Sequence, residues 1–137
     1  MEKTDLKSLP LDQLEQWVLE HGEKQFRKKQ LYQWMPVNLA DSVEQMSNLP
    51  AKLREQISEN CTFTVLKQVT MQESAIDGTR KYLFELEDHN MVESVLMRYK
   101  HGNSVCISSQ VGCRMGCRFC ASTLDGLVRN LTPAEML

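Results

Sequence analysis

Three cysteines, Cys113, Cys117 and Cys120, stand in a CxxxCxxC array within SVCISSQVGCRMGCRFC, residues 104–120. Thiolates at that spacing can wrap a short loop around one iron-sulfur cube and leave its fourth iron without a protein ligand, open to a substrate or cofactor. Zinc is the rival occupant. A structural zinc takes four protein ligands, and no second cysteine pair follows, so the fourth would have to come from Cys106 or His101. A disulfide framework fits poorly, because the chain has five cysteines and its amino terminus, MEKTDLKSLP, lacks the apolar core of a secretory signal. A ferredoxin run would read CxxCxxC with a fourth cysteine close behind. Here the first gap is longer and no cysteine follows Cys120.

Two further groups could do chemistry upstream of the array. TRKYLFEL (79–86), the turn EDHN and MVESVLMR (91–98) predict a β-hairpin. Period two places Met91, Glu93, Val95 and Met97 on one face of the second strand. An acid among apolar neighbours loses water, which raises a carboxylate pKa and suits a general base. The open alternative is an exposed Glu93 paired with a cation such as Lys81 on the neighbouring strand. Cys106 falls in a strand expected over 104–109, with Ser104 and Ser108 on its side and Val105 and Ile107 on the other. A strand cysteine taken alone is most often a small buried hydrophobe.

The elements that must hold these groups read as an α+β chain. Residues 1–60 predict a small helical domain. Ser8 would cap a first helix carrying Leu11, Leu14 and Val18, and a second would run from Lys24 to Met35 and stop at Pro36. A short third helix would open at Asp41 or Ser42, and a fourth near Asn48–Pro50 would present Leu49, Leu53 and Ile57 on one face. Residues 61–102 form a connector, with a strand TFTVLKQVT ending before the Asp77-Gly78 turn, followed by the hairpin. Cys61 reads as packing. From residue 103 come the strand with Cys106, the cysteine loop, and a helix capped by Thr132 with Pro133 first and Glu135 third.

Net charge is −2 over 137 residues, so bulk electrostatics give no nucleic-acid signature. Locally, Arg98, Lys100, Arg114, Arg118 and Arg129 face the single acid Asp125 around the cysteine loop, a setting that draws anions. Lys24, Arg27, Lys28 and Lys29 crowd the second helix beside Phe26. They read either as an RNA contact or, favoured on residues alone, as a solvated face. No stretch is long and apolar enough for a membrane span, and a cytoplasmic setting with reduced thiols is expected.

The array, with Phe119 just before its last cysteine, resembles the radical S-adenosyl-L-methionine (AdoMet, SAM) superfamily. SSQVGCRMGCRFCAST with Gly126 and Arg129-Asn130-Leu131 is more closely similar to the RlmN/Cfr family of radical SAM RNA methyltransferases. GEKQFRKKQLYQWM (22–35), DGTRKYLF (77–84) and VES (92–94) agree with it. The resemblance implies an amino-terminal part of a longer enzyme: a helical RNA-contacting domain over 1–60, the connector and hairpin over 61–102, and a truncated (β/α) barrel core from 103. It implies a 4Fe-4S cluster on Cys113, Cys117 and Cys120, with SAM on the open iron and its other contacts beyond Leu137. Glu93 would be the proton acceptor. Cys106 would form a transient disulfide with a methyl-carrying cysteine that also lies beyond Leu137. The implied reaction is methylation of adenosine carbon 2 in 23S rRNA and tRNA, with a flavodoxin-like electron donor and a monomeric enzyme, this chain alone being inactive. The alternatives are a carbon-8 methyltransferase of the Cfr type and a zinc-binding RNA module. The resemblance turns the Lys24, Arg27, Lys28 and Lys29 cluster toward an RNA contact.

Overall fold

The computed structural model describes residues 2–137, and the chain divides after Val65 into two compact units. In the first unit, β1 (Thr4–Asp5) leads through a 3-10 turn, Leu6–Ser8, into α1 (Leu11–Glu20). α1 buries Leu14, Trp17 and Val18, an i, i+3, i+4 stripe that faces the core. Pro10, extended at φ −64° and ψ 161°, occupies the cap position expected for Ser8. Ser8 instead closes the preceding turn, its hydroxyl donating to Asp5 Oδ2 at 2.8 Å.

α2 (Arg27–Tyr32) begins three residues later than the sequence suggests and passes directly into a π turn, Gln33–Val37. Pro36 therefore lies inside helical structure instead of ending it: a widened turn tolerates the missing N–H that an α turn would need. The expected third helix is a single 3-10 turn, Val43–Gln45. α3 (Ala51–Asn60) starts after Pro50 and buries Leu53 and Ile57. The unit closes where β2 (Cys61–Thr62) pairs in parallel with β1. Leu6, Leu14, Val18, Leu31, Met46, Leu53 and Ile57 are fully buried at its centre, and Cys61 packs against the same cluster.

The second unit is built on an antiparallel meander of β3 (Lys67–Glu73), β4 (Arg80–Glu85), β5 (Met91–Tyr99) and β6 (Gly102–Cys106). The β4–β5 hairpin falls where the alternating pattern put it. β3 does not: it starts at Lys67, five residues after Thr62, and every residue in it is exposed. Only Lys100 and His101 separate β5 from β6, far too short for the crossover a parallel strand requires, so β6 turns back antiparallel beside β5. A short pair, β7 (Gln110–Gly112) with β8 (Leu127–Asn130), comes next, then α4 (Pro133–Met136). Leu86, Val92, Val111 and Leu131 bury together, flanked by Leu66, Phe84 and Met136, and this cluster packs β7 and the residue that follows β8 against the sheet.

α4 carries the reciprocal cap read from the sequence. The Glu135 N–H donates to Thr132 Oγ1 at 3.3 Å, and the Thr132 N–H donates to Glu135 Oε2 at 2.8 Å. Glu135 also takes a two-pronged contact from Arg129, whose Nε donates to Asp88 in the β4–β5 turn at 2.7 Å. One guanidinium thus joins the hairpin turn, β8 and α4.

Candidate active site

The cysteine loop spans 113–126 between β7 and β8, and its two ends are pinned together. The Cys113 N–H donates to the Gly126 carbonyl at 3.0 Å. Gly112 makes that closure possible: at φ +76°, a Cβ on it would sit 2.0 Å from the Gly126 oxygen, so no larger residue fits. Gly116, at φ +68°, turns the chain between Cys113 and Cys117. The Cys120 N–H donates to the Cys117 carbonyl at 3.2 Å, and Thr123 Oγ1 lies 3.0 Å from the carbonyls of both Cys117 and Cys120.

All five cysteines are free thiols, with Cys117 and Cys120 exposed and Cys113 half-buried. Among the described residues, no three His, Cys, Asp or Glu side chains converge closely enough to share one ion. Thiol ligands gather as a metal displaces their protons, so separated thiols on one tethered loop are compatible with a cluster site. The three thiols on the loop are soft donors, which suits iron-sulfur ligation.

Glu93 and Cys113 line one cleft of about 510 Å³, together with Met91, Ser108, Gln110 and Ser122. The β5–β6 register then places Cys106. It pairs with Val95, two residues along β5 from Glu93, and so shares the Glu93 face of the sheet. Cys106 is exposed and does not itself line the cleft. The desolvated setting that the β5 pattern suggested for Glu93 is absent. Its side chain is 56% exposed and forms a 3.1 Å ion pair with Lys81 Nζ; on that face of β5 Met91 is exposed, and Val95 and Met97 are only half-buried. The open alternative, pairing with a β4 cation, is the one realised. Ser108 ties the cleft wall to β5, its hydroxyl donating to the Glu93 carbonyl at 3.4 Å.

The cationic groups fare unevenly. Arg129 is engaged by Asp88 and Glu135 and drops out of the basic neighbourhood of the loop. In the first unit, Lys28 is bonded to Glu15, whose carboxyl it holds below the usual range, and Arg27 is 3.7 Å from Glu23 and lies over the Phe26 ring. Lys24 and Lys29 are exposed on the same segment. Sequence reading placed Ser108 on the face of Cys106 but missed Gln110 and Ser122 in the cleft wall and the tether at Thr123. Gly112 beside Cys113 was the one local signal of a tight closure.

Residues 4–63 match the family described as the ribosomal RNA large subunit methyltransferase N-terminal domain. The chain is 60% identical over 134 residues to a probable dual-specificity RNA methyltransferase RlmN of Lachnospira eligens, covering 98% of this chain and 38% of that protein. The Staphylococcus carnosus protein of the same name is 49% identical, over 99% of this chain and 37% of its own length. A crystal structure of a radical SAM methyltransferase from Sphaerobacter thermophilus superposes with a TM-score of 0.86 at 37% identity, covering 97% of this chain and 39% of that one. This chain therefore spans well under half the length of the relatives it matches, yet almost all of it is matched. Nearly the whole chain is thus similar to RlmN methyltransferases and to a radical SAM methyltransferase of known structure, and residues 4–63 match the N-terminal domain of the ribosomal RNA large subunit methyltransferases.

Proposed function

We propose that this chain supplies the cluster loop, the general base and the resolving thiol of an RNA methyltransferase that modifies carbon 2 of adenosine in 23S rRNA and tRNA. The observation that carries the reading is the cleft shared by Glu93 and Cys113, with Cys106 on the same sheet face. Cys113, Cys117 and Cys120 would hold a 4Fe-4S cluster, which when bound supplies an electron for reductive cleavage of SAM. The chain's own acid and thiol resolve the methylated RNA adduct. Glu93, on the cleft wall, accepts the adenine ring proton once its carboxylate parts from Lys81. Cys106, as thiolate, attacks the sulfur of a second cysteine that is joined to the adenine through a methylene. The S–S bond forms as the S–CH2 bond breaks, and the departing carbon takes the electron pair and a proton to become the methyl group of the released RNA. The exposed Lys24 and Lys29, with Arg27 and Lys28 less available, would meet phosphate. A flavodoxin-like donor would feed the cluster.

Anaerobic reconstitution with iron and sulfide tests this. The purified chain should turn brown, absorb broadly toward the blue and bind about four irons, and Cys117→Ala should abolish all three signs. A colourless chain that retains one zinc through the same treatment would sink the proposal. Carbon 2 is separated from carbon 8 by mass spectrometry of ribosomal RNA from a strain lacking the gene.

A further inference from the structure

We infer that Thr123 is a positioning residue for all three cysteines of the loop, an inference that rests on the iron-sulfur reading above only for its second test. Its hydroxyl lies 3.0 Å from the carbonyl oxygens of both Cys117 and Cys120, so one proton serves two acceptors and fixes the spacing of the CxxC turn. The Thr123 carbonyl accepts the Gly126 N–H at 3.2 Å, and the Gly126 carbonyl accepts the Cys113 N–H at 3.0 Å. A continuous hydrogen-bonded path therefore runs from Cys117 and Cys120, through Thr123 and Gly126, to Cys113. Within the loop, Thr123 joins the CxxC half to the end anchored on β7. Gly112 keeps the far end of the path close, since its missing side chain is what lets the Gly126 carbonyl approach.

The consequence concerns both the empty and the loaded loop. Without the hydroxyl, the Cys117 and Cys120 carbonyls lose their shared donor, the 3-10 turn Ala121–Thr123 loosens, and Cys113 is no longer held in step with the other two. Thr123→Val keeps the shape and removes the donor. Thr123→Ser keeps the donor.

Two measurements decide the matter on the 137-residue chain. The first is amide hydrogen exchange without added metal: in Thr123→Val, the Cys120, Gly126 and Cys113 amides should exchange about tenfold faster than in the parent, while those of β4 and β5 keep their rates. Thr123→Ser should restore protection. The second is the rate at which a chelator strips iron from the reconstituted chain, which should rise in Thr123→Val and return toward the parent value in Thr123→Ser. Unchanged exchange at Cys113 in Thr123→Val, or a serine variant that behaves like the valine one, overturns the inference. If the parent chain takes up no iron and sulfide, the iron-sulfur reading fails on its own, and the exchange result still decides the role of Thr123.

Discussion

The five thiols differ in what their surroundings let them do. Cys61 is buried against the helical core of the first unit, and burial pushes its thiol up to about 12, since the thiolate would lose its hydration there. Cys106, Cys117 and Cys120 are exposed. Only the thiolate reacts with alkylating agents, and its fraction falls tenfold per unit of pKa, so at pH 8 Cys61 should label at least ~100-fold more slowly than free cysteine does. Mass spectrometry of peptides after timed iodoacetamide treatment measures this, and comparable labelling of Cys61 in the folded chain would contradict it. The same burial links stability to pH. A folded-state pKa above the unfolded one stabilises the first unit below the ordinary thiol value, and that contribution is lost as pH rises from there toward about 12. Glu93 makes the opposite point about residue-level reading. Its position on β5 was legible from period two, but its exposure was not, because exposure depends on whether anything covers that face of the sheet.

At the scale of elements, Arg129 bridges sequence-distant pieces: the turn after β4, β8 and the first turn of α4. Its guanidinium holds the Asp88 carboxyl far below the usual range and lowers that of Glu135 against the opposing effect of burial. Carboxylates with lowered folded pKa values stabilise above their ordinary range and lose that contribution as pH falls through their folded values. The Asn90 and Glu135 amides should therefore exchange faster in Arg129→Met at neutral pH, and the difference from the parent should shrink as pH is lowered from 5 toward 2. A difference as large at pH 2 as at pH 5 would mean the clamp works through packing of the side-chain stem. Nothing local in the sequence marks this clamp, since Asp88 and Arg129 lie 41 positions apart. The reciprocal cap of Thr132 and Glu135 was legible because its partners are three residues apart, and the β4–β5 hairpin because its turn and alternation are local. The start of β3 and the π turn at Pro36 were not. Both are settled by partners elsewhere in the fold, β4 for one and the helical core for the other.

For the whole molecule, the supply of reactive thiols limits the proposed chemistry. If Cys113, Cys117 and Cys120 bind the cluster, two cysteines remain. Cys61 is buried in the first unit with its thiolate disfavoured, and Cys106 is exposed on the Glu93 face of the sheet. A methyl-cysteine route needs two reactive thiols, one to carry the methyl group and one to attack its sulfur, and this chain offers one. It also spans only 38% of the length of its Lachnospira eligens relative. We therefore expect the reconstituted 137-residue chain, given SAM, a reductant and ribosomal RNA, to form no methylated adenosine. Addition of iodoacetamide should block Cys106 without changing that outcome, whereas it should abolish turnover in a full-length relative that has the same thiol. The readout is mass spectrometry of nucleosides from digested RNA. Methylated adenosine above the level of a no-protein control would show that one reactive thiol suffices, and it would remove Cys106 from the resolving role assigned to it.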